Sequence, residues 1–129
     1  MRFMCLIYIE PDRVAQMSPE EMVKLGDETI EEDIALQAAG QLVLATPLQE
    51  PRSAVTLRVR QGRTVQTDGP FAETKEHLGG VVILEAKDME EAIALNRDSA
   101  ILRIASVEIR PLPETPDVHT ETGEKRPVM

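Results

Sequence analysis

Cysteine is nearly absent from this 129-residue chain: Cys5 stands alone, so an internal disulfide is excluded and a reducing compartment suits the protein. Tryptophan is missing, and Phe3, Tyr8 and Phe71 are the only aromatic side chains, too few to build a platform for stacked bases. Positive charge is scarce as well. The 14 Lys and Arg face 23 Asp and Glu, and a formal net charge of −9 repels an anionic polymer, so no nucleic-acid partner is expected. Histidine occurs only at His77 and His119, and no His/Cys group has metal-ligand spacing. Phosphate-binding glycine loops and nucleophile elbows are missing too, so neither a metal nor another cofactor is expected. No apolar run approaches the roughly 18 residues that span a bilayer, and Met1–Ile9 meets Glu10-Pro11-Asp12 too soon for a signal peptide. A cytoplasmic protein without a membrane partner is the expectation.

What is present fits one globular domain, since 42% of the residues are apolar and the length falls within the usual single-domain range. Arg2–Ile9 is apolar on both alternating faces, the pattern of a central strand. Ser18-Pro19-Glu20-Glu21 is a helix start: Ser18 can cap, proline loses no needed N–H at the first position, and Glu21 can close a capping box. The predicted helix runs to about Ala39 and stops at Gly40. Met22, Leu25, Ile30, Ile34 and Ala38 would form its buried stripe, with Glu28, Glu31, Glu32 and Asp33 in water.

Gln41–Leu48 and Ala54–Arg60 read as further strands, and a turn at Gln61-Gly62 returns the chain through Val65 to Thr67. A two-residue turn would oppose Arg58 and Val65. A three-residue loop would oppose Val59 and Val65, keep the apolar face together, and collect Thr56, Arg58, Gln66 and Asp68 on the other face; it is the preferred arrangement. Gly79–Ala86 is again apolar on both faces. Asp88, with Glu91 three residues later, caps a helix from about Met89 to Arg97, and Ser106–Pro111 is the last strand. Leu112–Met129 is polar and broken by proline, so it is expected to be mobile or peripheral.

Strand, helix, strand, hairpin, strand, helix, strand is an α+β order with both helices on one face of an antiparallel sheet. Two strands apolar on both faces then leave an apolar face uncovered, and a two-fold homodimer packed through the helix-free sheet face would cover it.

Thr67-Asp68-Gly69-Pro70-Phe71-Ala72-Glu73-Thr74-Lys75-Glu76, followed by Leu78-Gly79-Gly80, resembles the YCII-related, DGPF-motif family of small bacterial proteins. Met4-Cys5-Leu6-Ile7-Tyr8, the Ser18 helix start, Arg58-Val59-Arg60-Gln61-Gly62 and Val107-Glu108-Ile109-Arg110-Pro111 extend the resemblance over roughly 1–111. It implies a ferredoxin-like domain over 1–111, in a dimeric α/β barrel, with 112–129 as a flexible tail. Relatives in the wider superfamily include lyases and isomerases acting on small molecules, and members often lie near extracytoplasmic-function sigma factors. The resemblance implies a histidine and an aspartate at work in YciI-type relatives, with that histidine near the N-terminus. Neither His77 nor His119 matches it, and Ile104-Ala105 stands where many relatives have His-Gly or Tyr-Gly.

Asp68, at a strand end, is the candidate general acid or base; the competing role is turn chemistry, because Asp-Gly-Pro suits a tight turn. Arg58 could hold an anionic substrate through its guanidinium fork or pair with Asp68. Phe71 either lines a pocket or anchors its loop. Thr74 and Lys75 are candidate substrate contacts in a loop that could equally be a solvated turn, and His77 could be an acid/base partner. Cys5 and the methionines read as core filling. Two functions stay open: a cofactor-independent lyase or isomerase acting on a small polar or anionic molecule in a dimer cleft, and a non-catalytic ligand-binding or regulatory module linked to such sigma factors.

Overall fold

The computed structural model describes residues 1–113. The expected tail therefore lies outside the described residues from 114 onward, as does His119. Four strands form an antiparallel sheet in the order β2-β5-β1-β6: β1 (Arg2–Ile9), β2 (Leu42–Pro47), β5 (His77–Glu85) and β6 (Ala105–Pro111). The remaining two, β3 (Val55–Arg60) and β4 (Arg63–Asp68), pair only with each other as a ribbon inserted between β2 and β5. β1 is central as its composition requires, with Phe3 opposite Leu84 on β5 and Cys5 opposite Ile109 on β6. Between Ile7 and Tyr8 the β1–β5 register shifts, and the bulge falls at Gly79. A Cβ there would collide with Cγ1 of Ile9, so the close approach needs glycine.

Three helices accompany the sheet: α1 (Pro11–Ala15), a short turn that the sequence did not signal, α2 (Pro19–Ala38) and α3 (Met89–Arg97). The capping box forms as expected, with Glu21 N donating to Ser18 Oγ at 3.1 Å and Ser18 N to Glu21 Oε1 at 3.0 Å. Gly40, at φ 73°, ends α2 and lets Gln41 N return to the Leu36 carbonyl at 2.9 Å. Asp88 caps α3 by accepting from Glu91 N at 2.9 Å, while the Glu91 carboxylate accepts from Lys87 N at 3.1 Å.

The helices lie on one face. Leu25 of α2 packs with Ile7, Ile9 and Ile104, and Ala92 of α3 packs with Phe3 and Ala86. Residues 3, 5, 7 and 9 share a face of β1, so both core clusters sit above it and Cys5 is buried between them. Met4, Leu6, Tyr8, Val81 and Ile83 point to the helix-free face.

Two expectations are corrected. The α2 stripe does not run through Ile30, Ile34 and Ala38: Ile30 is 58% and Ile34 59% exposed, and Ala38 is exposed too. The line that continues from Met22 and Leu25 at helical spacing passes through Thr29, Glu32, Asp33 and Leu36, which therefore face the sheet. Of the acidic residues expected in water, only Glu31 is exposed. Glu28 pairs with Arg103 at 2.6 Å, and both Glu32 oxygens lie 3.2 Å from the Ala100 N–H that opens a 3-10 turn. Asp33 is half-buried beside the sheet.

The hairpin register is the second correction. The turn has two residues, with Gln61 at φ 51° and Gly62 at φ 75°, so Arg58 opposes Val65 and Val59 opposes Thr64. Two successive positive φ values make the turn whose twist matches the flanking strands, and that local preference prevails because no residue of the ribbon is buried. Matching Val59 to Val65 would have gained little burial.

Candidate functional site

A cavity of about 620 Å³ lies between α2, α3 and the covered face of the sheet. Its floor is strand residues chosen for the sheet: Ile7 and Ile9 from β1, Gly80, Val82 and Leu84 from β5, and Val107 from β6. The two glycines at the start of β5 keep that floor open, since side chains there would rise into the space between sheet and helices. α2 forms the roof with Gly26, Thr29, Glu32, Asp33 and Ala35 beside Ile30 and Leu36, a mixture of small, polar and apolar residues that leaves the space unfilled. α3 adds Leu95 and Asn96.

Asp33 is the distinctive group. Burial pushes its carboxyl above the ordinary aspartate range, the Glu32 charge adds to the rise, and among the described residues it has no hydrogen-bond or ion-pair partner. Glu32, by contrast, is occupied by the Ala100 N–H. Asn96 donates to the Ala92 carbonyl at 2.8 Å and reaches Cys5 Sγ at 3.5 Å. Burial also raises the Cys5 thiol, only partly offset by that Asn96 bond, so the thiol stays protonated at neutral pH. A half-buried carboxylate over an apolar floor can accept a proton from a bound molecule and return it.

The five residues singled out from the sequence lie elsewhere, and none borders this cavity. Asp68 ends β4, exposed and opposite Val55; Arg58 projects from the other face of the ribbon, so the two do not meet. Arg58 instead reaches Phe71, its Nη2 donating to the Phe71 carbonyl at 2.7 Å and its guanidinium 5.0 Å from the ring centre. Phe71 is 76% exposed, neither anchored in the core nor in the cavity. Thr74 Oγ1 donates to the Glu76 carbonyl. Lys75 pairs with Asp12 of α1 at 2.7 Å, which raises the ammonium pKa. Gly69, at φ 102°, accepts from Thr56 Oγ1 and donates to the Ala54 carbonyl, so Asp68-Gly69-Pro70 closes the base of the ribbon. His77 opens β5 opposite Ile9 and is half-buried.

Asp33, Thr29 and Asn96 were not singled out from the sequence. A signal was available: extending the Met22–Leu25 line by helical steps puts Thr29 and Asp33 where an apolar stripe should be. Polar residues on a covered face are the anomaly that marks a site.

Comparison with known proteins agrees with this architecture. The YCII-related domain profile matches residues 1–115. An uncharacterised protein of Rhizobium meliloti strain 1021 is 35% identical over 119 residues, covering 87% of this chain and 92% of its own. Among solved structures, 5-chloro-2-hydroxyhydroquinone dehydrochlorinase of Burkholderia phenoliruptrix, in complex with 2,5-dihydroxybenzoquinone, superposes with a TM-score of 0.53. That match is 13% identical in sequence and covers 89% of this chain and 96% of the other, a likeness of fold. Among the described residues no helix is long and apolar enough to cross a membrane.

Proposed function

The chain belongs to the YCII-related family, and from that premise we propose that it is a cofactor-independent enzyme of the lyase or isomerase type whose substrate occupies the cavity between α2, α3 and the sheet. The observation that carries this is Asp33, half-buried at the cavity wall with its carboxyl raised and no partner of its own among the described residues. Asp33 would take a proton from the bound molecule, and return it at another atom in an isomerisation or to the leaving group in an elimination. The structural neighbour is an enzyme named for a dehydrochlorination, which is an elimination. The domain is taken as 1–111, ending with β6, and the remainder as its tail.

Ligand-observed NMR screening of a small-molecule library, followed by amide shift mapping, tests the location. Binders should shift Thr29, Gly80 and Asn96, and Asp33→Asn should abolish turnover of any substrate found. Shifts confined to Arg58, Phe71 and Lys75 would return the site to the motif loop and sink the cavity assignment. A non-catalytic binding or regulatory module is the second possibility. It is favoured by the way Arg58, Thr74 and Lys75 hold their own chain, as a structural clamp would.

A homodimer through the helix-free face belongs to the same proposal. Met4, Leu6, Tyr8 and Val81 are half-buried there and Leu44 is 45% exposed, a contiguous apolar surface with Glu108 and Arg110 paired at its margin at 2.6 Å. Sedimentation equilibrium should give twice the chain mass, and Leu6→Glu should halve it. A wild-type monomer at tens of micromolar would contradict this.

A further inference from the structure

Resting on the cavity assignment above, we propose that this cavity selects neutral or cationic ligands that bring hydrogen-bond donors, an alcohol, phenol or amine on an apolar frame, and turns anions away. The volume of about 620 Å³ and the floor of Ile7, Ile9, Val82 and Leu84 accommodate a ring-sized apolar body. Selectivity must then come from the few polar groups around it, and these are nearly all acceptors.

Most side-chain donors of the wall are already spent; among the described residues Ser99, whose Oγ accepts from Ile101 N, keeps its hydroxyl proton. Thr29 Oγ1 donates to the Gly26 carbonyl at 2.9 Å, leaving its hydroxyl oxygen as an acceptor. The Asn96 amide nitrogen is committed to the Ala92 carbonyl and Cys5 Sγ, so its oxygen is the end left for a ligand. Asp33 and Glu32 add carboxylates, and among the described residues no Lys, Arg or His borders the cavity. Three cations on nearby elements are engaged elsewhere: Arg103 with Glu28, Arg13 with Glu10 and Lys75 with Asp12. An anion entering here would lose its water, find almost no donor, and face two negative groups in a region where water screens poorly. A hydroxyl or ammonium would find Asp33 and the Asn96 oxygen unoccupied. An anionic substrate, expected from Arg58 and Lys75, does not fit this lining.

Benzyl alcohol, benzylamine and benzoate carry the same ring with neutral, positive and negative heads, and their affinities for the full chain at neutral pH can be compared by titration against amide shifts. Benzylamine and benzyl alcohol should shift Thr29, Gly80 and Asn96, with benzoate weaker than either by about tenfold or more. Asp33→Asn, which keeps the shape, should erase the advantage of benzylamine over benzyl alcohol and improve benzoate. Benzoate binding as tightly as benzyl alcohol at these amides would overturn the selectivity while leaving the cavity as a binding site. Failure of all three to shift any cavity amide would overturn the cavity assignment itself, and the selectivity with it.

Discussion

Val82 and Leu84 on β5 lie beneath helices, whereas Val55, Leu57 and Val59 on β3 alternate just as regularly and are 54%, 63% and 66% exposed. The two regions use the same side chains in the same period of two, with opposite outcomes. Alternation states which residues share a face; it does not state whether anything covers that face. In the four-stranded body, register follows burial, because a slip of one residue on β1 would turn Phe3 and Cys5 away from α3 and expose them. Among the described residues none in the ribbon is buried, so the turn at Gln61-Gly62 sets the register and the side chains follow. A two-stranded hairpin of this kind is marginal alone, and it is held at its base by Gly69 N donating to the Ala54 carbonyl at 2.7 Å and Thr56 Oγ1 to the Gly69 carbonyl at 2.8 Å.

Truncation is the largest test of that contrast. Phe3 is fully buried between Ala86 and Ala92, so Phe3→Ala should cost about 3–5 kcal/mol in denaturant unfolding. Leu57→Ala, on the ribbon, should change stability by about 0.5 kcal/mol or less if its face meets only water. A Leu57→Ala loss approaching that of Phe3→Ala would show the ribbon packed against another copy and dissolve the distinction.

Glycine substitution asks the same question of backbone rather than side chain. Gly79→Ala, at the bulge of the central sheet, drives a Cβ into the Ile9 side chain, which must shift to admit it, and should cost about 1–3 kcal/mol of global stability. Gly62→Ala meets no atom but must hold φ at 75°, a strain of about 1–2 kcal/mol. That strain can be released by opening the ribbon alone. Hydrogen exchange should therefore show loss of protection confined to β3 and β4 in Gly62→Ala and spread across β1 and β5 in Gly79→Ala; the same pattern in both would mean the ribbon and body unfold as one unit.

The contrast also explains what could be read from the sequence. Elements with a chemical start and stop were legible to within a residue or two: the Ser18–Glu21 box and Gly40 bracket α2, and Asp88 and Arg97 bracket α3. The α+β order and the central places of β1 and β5 followed from apolar runs on both faces. The candidate site was much less legible. Asp68, Arg58 and Lys75 stood out because charged residues in a recurrent motif invite a chemical role, yet in space they serve the ribbon base, Phe71 and α1. Asp33 was hidden among the acidic residues of α2, and only the direction in which α2 faces the sheet separates it from Glu31. Ile30 and Ile34 draw an apolar stripe away from the Leu25 line, although Ile30 only flanks the cavity and both are more than half exposed. The direction is set instead by Leu25 meeting Ile104 and by Glu32 capping the turn at Ala100.

Asp33 is where the body resembles the ribbon, a place left unfilled, and the smallest expected effect belongs to it. Its carboxyl is raised in the folded chain, so folding is favoured by protonation. The favourable contribution is fully present below the unfolded-state value and is lost as pH rises through the raised folded value. At neutral pH the ionised group is therefore a liability to stability. Asp33→Asn should unfold at a slightly higher temperature than wild type at neutral pH, and the gap should close on acidification as the wild-type carboxyl takes its proton. A gap that stays constant with pH would mean the substitution acts through packing or helix propensity and not through charge. A gap of the opposite sign would mean the carboxylate has a favourable partner in the assembled protein, and the acid/base role proposed for it would lose its physical basis.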